Sequence, residues 1–76
     1  MIERSNNIYQ LLVNHFGGQE NTAKALDVKQ PAVSQWVRRT RNMSEKVAVR
    51  AEKATFGKFK AVDLCPSLKE FQDLIA

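Results

Sequence analysis

Two short helical patterns near the middle of the chain are separated by only three residues, and this spacing restricts the fold more than any other feature. One pattern runs from about residue 19 to 26, and the next opens near residue 30. Helices that cross so closely need a small side chain at the contact, and Ala23 supplies it. Pro31 suits the first turn of the second helix, because its missing N–H removes no helical hydrogen bond. The spacing is that of a helix-turn-helix, and the apolar side chains expected to lock it are Leu26, Val28, Val33 and Trp36.

The opposite face of the second helix of this motif is polar. It holds Gln30, Pro31, Ser34, Gln35 and Arg38 at positions i, i+1, i+4, i+5 and i+8, which form one stripe on a helix. The stripe contains no acidic residue. Gln, Ser and Arg side chains can donate hydrogen bonds to base edges in the DNA major groove, and Gln and Ser can also accept them. We therefore predict that this stripe contacts DNA bases.

Positive charge is concentrated around the same stretch. The chain has a net charge of +4, but ten basic and three acidic residues between 24 and 60 give that segment a charge of +7. Charge alone fits either a solvated surface or a polyanionic partner. Beside the polar stripe it favours DNA, because neutralised phosphates supply most of the non-specific affinity for DNA. The cluster predicted to contact the DNA backbone is Arg39, Thr40 and Arg41.

Further short helices flank the motif. Apolar spacing predicts a first helix over about 6–16, ended by Gly17 and Gly18. Ser44 is a suitable N-cap for a helix that continues to about Thr55. Residues 57–66 show no clear pattern and could be extended. We predict a mainly α fold of four to five short helices in a single domain, 1–76, with its core in about 6–56.

The C-terminal segment, 57–76, is open to two interpretations. Ser67 and Glu70 match a capping box, which would begin a short amphipathic helix, although a short strand also fits. The apolar side chains of this segment are predicted either to pack on the core or to form a subunit contact, and they are Leu68, Phe71, Leu74 and Ile75.

The sequence argues against several classes of protein. Cys65 is the single cysteine, so it forms no internal disulfide, and no metal-ligand spacing surrounds it. There is no nucleophile–base pair, cofactor loop or carboxylate pair typical of an enzyme. No apolar run approaches the length of a membrane span, and 1–7 is polar, unlike a signal peptide. We expect a cytoplasmic protein that is not an enzyme and has no metal, cofactor, small-molecule ligand or membrane partner.

Some conspicuous residues are expected to be structural. Trp36 could stack on a base, but its place in the apolar stripe favours the core. His15 lacks a nearby Cys, Asp or second His, which favours a surface or half-buried position over a metal site. Gly17 and Gly18 lack the pattern of a phosphate-binding loop and indicate a helix end.

The central stretch resembles the helix-turn-helix of the Cro repressors of lambdoid phages and the related YdaS-type regulators of prophages. The resemblance rests on FGGQ at 16–19, ALDV at 25–28 and QPAVSQW at 30–36, and the most specific part is the run AVSQW. It continues more weakly to residue 66. By resemblance, Gln19 approaches a phosphate, and the residues that contact bases are Lys29, Gln30, Pro31 and Ser34.

Two positions depart from the family pattern. Asp27 stands where glycine is usual, at a site that commonly needs a positive φ, which Asp tolerates at some cost. Lys29 stands where a capping Ser or Thr is usual, so the following helix begins without its best cap. Both departures predict modest stability.

The resemblance implies a transcriptional regulator that occupies an operator and blocks polymerase. Because one module of this size buries little interface, we expect a homodimer on a palindromic site in double-stranded DNA. An activator or DNA-architectural protein would use the same helix. A protein-interaction module, such as an antitoxin, is the alternative from another class.

Overall fold

Six helices form the regular structure in the part of the chain that the computed structural model describes, namely the backbone of 7–75 and its side chains except at 69, 71–73 and 75. The mainly α prediction is confirmed. The extra helix lies in 57–66, where the sequence showed no clear pattern. Within 7–75, no helix is long and apolar enough to cross a membrane. The helices are α1 (Ile8–Phe16), α2 (Gln19–Leu26), α3 (Gln30–Val37), α4 (Glu45–Ala54), α5 (Ala61–Leu64) and α6 (Pro66–Ile75).

Polar caps and a left-handed glycine fix the ends of α1 and the start of α4. The side-chain oxygen of Asn7 accepts a hydrogen bond from the backbone N–H of Tyr9 at 3.0 Å, so α1 begins just after Asn7. The hydroxyl of Ser44 accepts one from the N–H of Val47 at 3.4 Å, and α4 therefore begins where the sequence predicted. Gly17 ends α1 with φ +89°, a conformation that glycine adopts without steric cost.

The core lies where the helices converge: α2 packs against α1, α3 and α4, while α5 packs against α1 and α4. Trp36 is 3% exposed and lies beside Tyr9, with 6.3 Å between ring centroids, so its predicted core position is confirmed. His15 is exposed and packs edge-on against Phe16 and Phe59. The side chains that are fully buried include Leu12, Thr22, Leu26, Val33, Met43 and Leu64.

The hydroxyl of Tyr9 joins three parts of the fold. It donates a hydrogen bond to the backbone carbonyl of Leu64 at 2.6 Å, and it accepts one from the backbone N–H of Met43 at 3.4 Å. Tyr9 is only 7% exposed, so these bonds are made in the interior. One side chain therefore connects α1 to α5 and to the loop that precedes α4.

We expect Tyr9→Phe to lower the free energy of unfolding by about 1–3 kcal/mol, because it keeps the ring but leaves the buried Leu64 carbonyl without its partner. Urea denaturation measures this change. Gln10→Ala is the control: it removes the exposed bond from Gln10 to Asn14 and should cost only about 0.2–0.5 kcal/mol. Equal losses in the two variants would contradict the prediction.

The start of α6 corrects the predicted capping box. α6 begins at Pro66, a residue suited to the first helical position, so Ser67 lies inside the first turn and does not cap the helix. Ser67 instead donates a hydrogen bond to the carboxylate of Glu45 at 2.6 Å, which joins α6 to the start of α4. This bond holds the pKa of Glu45 below its ordinary value. The link is therefore present at neutral pH and weakens as the pH falls through that lowered pKa.

The predicted apolar face of the C-terminal segment lies on a helix and not on a strand. Leu68 is half-buried and packs against the core, whereas Leu74 is 84% exposed. The side chains of Phe71 and Ile75 lie outside the described residues. Leu68 therefore packs on the core near the start of α6, whereas Leu74 is exposed near its end. Whether the apolar face of α6 packs on the core or forms a subunit contact stays a prediction.

Candidate nucleic-acid interface

A tight turn built on a left-handed residue joins α2 and α3. Asp27 has φ +56° and ψ +50°, as expected for a site where glycine is usual. The turn is closed by a hydrogen bond from the N–H of Val28 to the carbonyl of Ala23 at 2.9 Å. Ala23 is buried, as its predicted role requires, and Lys29 makes no side-chain cap for α3. The predicted helix-turn-helix and its uncapped second helix are confirmed.

An open groove runs along the exposed side of this motif. Gln19 contributes from the start of α2, and Gln30, Pro31, Ser34 and Arg38 contribute from α3 and its end. The sequence had singled out all five residues. The groove offers hydrogen-bond donors and acceptors and one positive charge, and none of its lining residues is acidic. These side chains match the hydrogen-bonding pattern of bases in the major groove.

The first turns of α2 and α3 present backbone N–H groups near the groove, and Glu20 places one negative charge in the first turn of α2. Gly18 and Lys29 are the N-caps, and neither forms a side-chain hydrogen bond to the helix that follows. The first N–H groups of a helix have no partner within the helix, and they form the positive end of its dipole. Gln19 therefore stands at a helix end that is suited to a phosphate group.

Five other predicted contacts lie outside the groove, namely Lys29, Gln35, Arg39, Thr40 and Arg41. Lys29 is exposed just before α3, and Arg41 is exposed in the loop between α3 and α4. Gln35 is half-buried, and its backbone carbonyl accepts hydrogen bonds from the N–H and the hydroxyl of Thr40, at 3.0 and 3.3 Å. The chain is thereby turned directly after α3, which keeps Thr40 close to the end of that helix.

Arg39 lies beside a different surface. It adopts a left-handed conformation, φ +62°, which changes the chain direction after α3. The structure does not bring it to the groove. The cavity that it borders is lined by Asn7, Ile8, Tyr9, Asn42, Asp63 and Pro66 as well. The adjacent residues Arg38 and Arg39, both predicted to contact DNA, therefore lie in different surroundings.

Sequence reasoning missed Arg50, which contacts the turn of the motif. Its guanidinium donates to the backbone carbonyl of Leu26 at 2.6 Å and approaches that of Asp27 at 3.5 Å. A local signal was present in the spacing. Arg50 lies three residues after Val47 and four before Ala54, so it shares a helix face with two half-buried apolar residues.

Helix boundaries, turn and groove together define a small helix-turn-helix domain. The family model described as bacterial toxin YdaS matches residues 9–71, and the chain belongs to this family. The chain is also 55% identical to the regulatory protein cro of Pseudomonas phage D3 over 60 aligned residues. The aligned segment covers 79% of this chain and 82% of the phage protein. These matches confirm the resemblance to Cro and YdaS-type regulators. No solved structure matches the chain significantly.

Proposed function

We propose that this protein is a sequence-specific DNA-binding regulator that places α3 in the major groove and acts by occupying an operator. The proposal rests on one observation. Five residues that the sequence predicted to contact bases or phosphates line a single groove on the motif, and none of the residues lining it is acidic. The name of the phage relative, a regulatory protein cro, supports the same conclusion. Binding without catalysis is sufficient for this activity, which takes place on DNA in the cytoplasm.

The proposed contacts divide into two groups. Base contacts come from the exposed face of α3 and the residues next to it, because an inserted helix presents that face to the base edges. Backbone contacts position the helix and depend little on sequence. The proposed base contacts are Lys29, Gln30, Pro31, Ser34, Gln35 and Arg38. The proposed backbone contacts are Gln19, Thr40 and Arg41, with a smaller part for Arg39, which borders the other cavity.

A two-fold dimer on a palindromic site completes the proposal. Specific protein–DNA interfaces bury about 1,000–2,500 Å² of protein surface, whereas a single small module buries about 600–1,000 Å². Two copies related by a two-fold axis supply the difference and present α3 to two half-sites about one helical turn apart. Apolar side chains exposed on the described part of the chain, such as Leu74, provide surface for that contact.

The decisive experiment is selection of duplexes from a random pool by the full-length protein. We expect an enriched palindrome with half-sites separated by about 10 base pairs. Enrichment of no sequence, with binding to DNA that is weak and insensitive to salt, would contradict the proposal and favour the protein-interaction module. Placing the selected duplex over a promoter in a transcription assay then tests repression against activation.

Loss of a base-contacting side chain should weaken specific binding alone. We expect Gln30→Ala or Ser34→Ala to cost about 1–3 kcal/mol on the selected duplex and to leave binding to a scrambled duplex nearly unchanged. A competition titration with both duplexes measures the difference. Gln10→Ala, an exposed change on α1, is the control and should leave both affinities unchanged. Equal weakening on the two duplexes would show that Gln30 and Ser34 do not contact bases.

A further inference from the structure

Arg50 connects α4 to the turn between the two helices of the motif. Its Nη1 atom donates to the carbonyl of Leu26, the last residue of α2, at 2.6 Å, and lies 3.5 Å from the carbonyl of Asp27. The contact is partly buried and joins residues 24 positions apart in the chain. Carbonyls at a helix end lack partners within the helix and form the negative end of its dipole, so a cation is well placed there.

The hydrogen bonds within the backbone of the turn satisfy only some of its carbonyl groups, so Arg50 supplies a donor that the turn itself lacks. The N–H groups of Asp27 and Val28 bond back to the carbonyls of Lys24 and Ala23, respectively. Arg50 supplies a donor to two carbonyls nearer the turn, those of Leu26 and Asp27. Asp27 is also held in a left-handed conformation that costs a non-glycine residue energy. A donor from α4 therefore stabilises the point at which the chain changes direction between α2 and α3.

The turn determines how the groove is assembled. Gln19 stands at the start of α2, and the other lining residues belong to α3 and its end, so the angle between the two helices sets the distances across the groove. Contacts with bases require placement within about half an ångström, which depends on the residues that support the contacting side chains. We propose that Arg50 is a positioning residue that fixes α3 relative to α2 and thereby contributes to sequence discrimination without touching a base. This inference rests on the proposed function.

The test compares Arg50→Gln, Arg50→Lys and a matched control, Lys53→Gln. The control removes the same charge from an exposed position on the same helix. Thermal unfolding of each variant first identifies a temperature at which all are fully folded. Amide hydrogen exchange at the turn, and affinity for the selected and scrambled duplexes over a range of salt, are then measured at that temperature.

In Arg50→Gln we expect the amide of Val28 to exchange about tenfold faster, while core amides stay unchanged, because the turn opens locally. Affinity for the selected duplex should fall roughly tenfold, as for the loss of one base contact, with little change on the scrambled duplex. The slope of log K against log salt should stay the same, since no phosphate contact is removed. Arg50→Lys should recover only part of the loss, because an ammonium lacks the planar guanidinium and its reach. Lys53→Gln should match the unmodified protein in exchange and in discrimination.

Three results would overturn the inference. Unchanged exchange at Val28 would mean that Arg50 does not hold the turn. Faster exchange with unchanged discrimination would mean that its role is structural only. A fall on both duplexes with a lower salt slope, recovered by Arg50→Lys, would make Arg50 a phosphate contact. Failure of the unmodified protein to select any duplex would instead overturn the proposed function, and the inference with it, whereas the exchange data would still report on the turn.

Discussion

Leu26→Ala should lower the free energy of unfolding by about 3–5 kcal/mol, the largest stability effect expected of any single change discussed for this chain. Leu26 is the last residue of α2, and its side chain is fully buried in the core. The substitution removes apolar contacts and leaves a cavity that the surrounding helices can fill only partly. In a small domain with a total stability of about 5–15 kcal/mol, such a loss brings the protein close to unfolding.

Urea denaturation followed by the fluorescence of Trp36 measures the effect, because this tryptophan lies in the same core. Leu11→Ala is the matched control: the leucine on α1 is 53% exposed, so the same change should cost less than about 1 kcal/mol. DNA binding should fail in Leu26→Ala as the folded population declines, and it should be unaffected in Leu11→Ala. Similar losses in both variants would contradict the description of the core.

The helices of the motif could be predicted closely because local chemistry determines their ends. A double glycine precedes α2, Asp27 tolerates the left-handed turn, and Pro31 suits the first turn of α3. The exposed face of α3 followed from helical spacing alone, since apolar positions such as Val33 and Trp36 specify which side is buried. The four groove residues of α3 and its end were therefore predictable from spacing, whereas Gln19 followed from the resemblance and Gln35, predicted on the same stripe, lies outside the groove.

Interactions across long stretches of chain could not be predicted in the same way. Ser67 matched a local capping pattern, but Pro66 takes the first helical position and Ser67 bonds to Glu45, 22 residues away. Arg50 was counted only as a charge, although its bond to Leu26 depends on how α4 packs on α2. Spacing identifies the face of a helix, but the partner of that face depends on the tertiary arrangement.

The arginines at the end of α3 show the same limit. The sequence predicted DNA contacts for both Arg38 and Arg39, yet Arg38 lines the groove, whereas Arg39 borders a different cavity that Asp63 also lines. The left-handed backbone at Arg39 separates the two side chains, and nothing in the local pattern requires that conformation at an arginine. We therefore expect neighbouring substitutions of identical charge to differ in their effects on DNA binding.

Replacing both Arg38 and Arg41 with Gln should produce the largest loss of DNA affinity. Each phosphate contact contributes about 0.9 to the slope of log K against log salt, so a dimer that loses the Arg41 contact in both subunits should lose about 1.8 from that slope. At about 0.1 M salt this corresponds to a decrease in affinity of roughly sixtyfold, and the loss of the two Arg38 base contacts, about 1–3 kcal/mol each, brings the decrease on the selected duplex to roughly a thousandfold or more. Because contacts with the backbone do not depend on sequence, the scrambled duplex should be affected as well. Titration of both duplexes at several salt concentrations measures the slopes.

Single variants test whether the position of an arginine, and not only its charge, determines its effect on DNA binding. Arg41→Gln and Arg39→Gln each remove one positive charge, but Arg41 is proposed to have the larger part in phosphate contact, since Arg39 borders the other cavity. We expect Arg41→Gln to lower the slope by about 0.9 for each subunit and Arg39→Gln to lower it much less. Equal effects would place Arg39 on the DNA backbone as well. An unchanged slope in the double variant would mean that Arg41 does not contact phosphate, and the proposed docking of α3 would have to be abandoned.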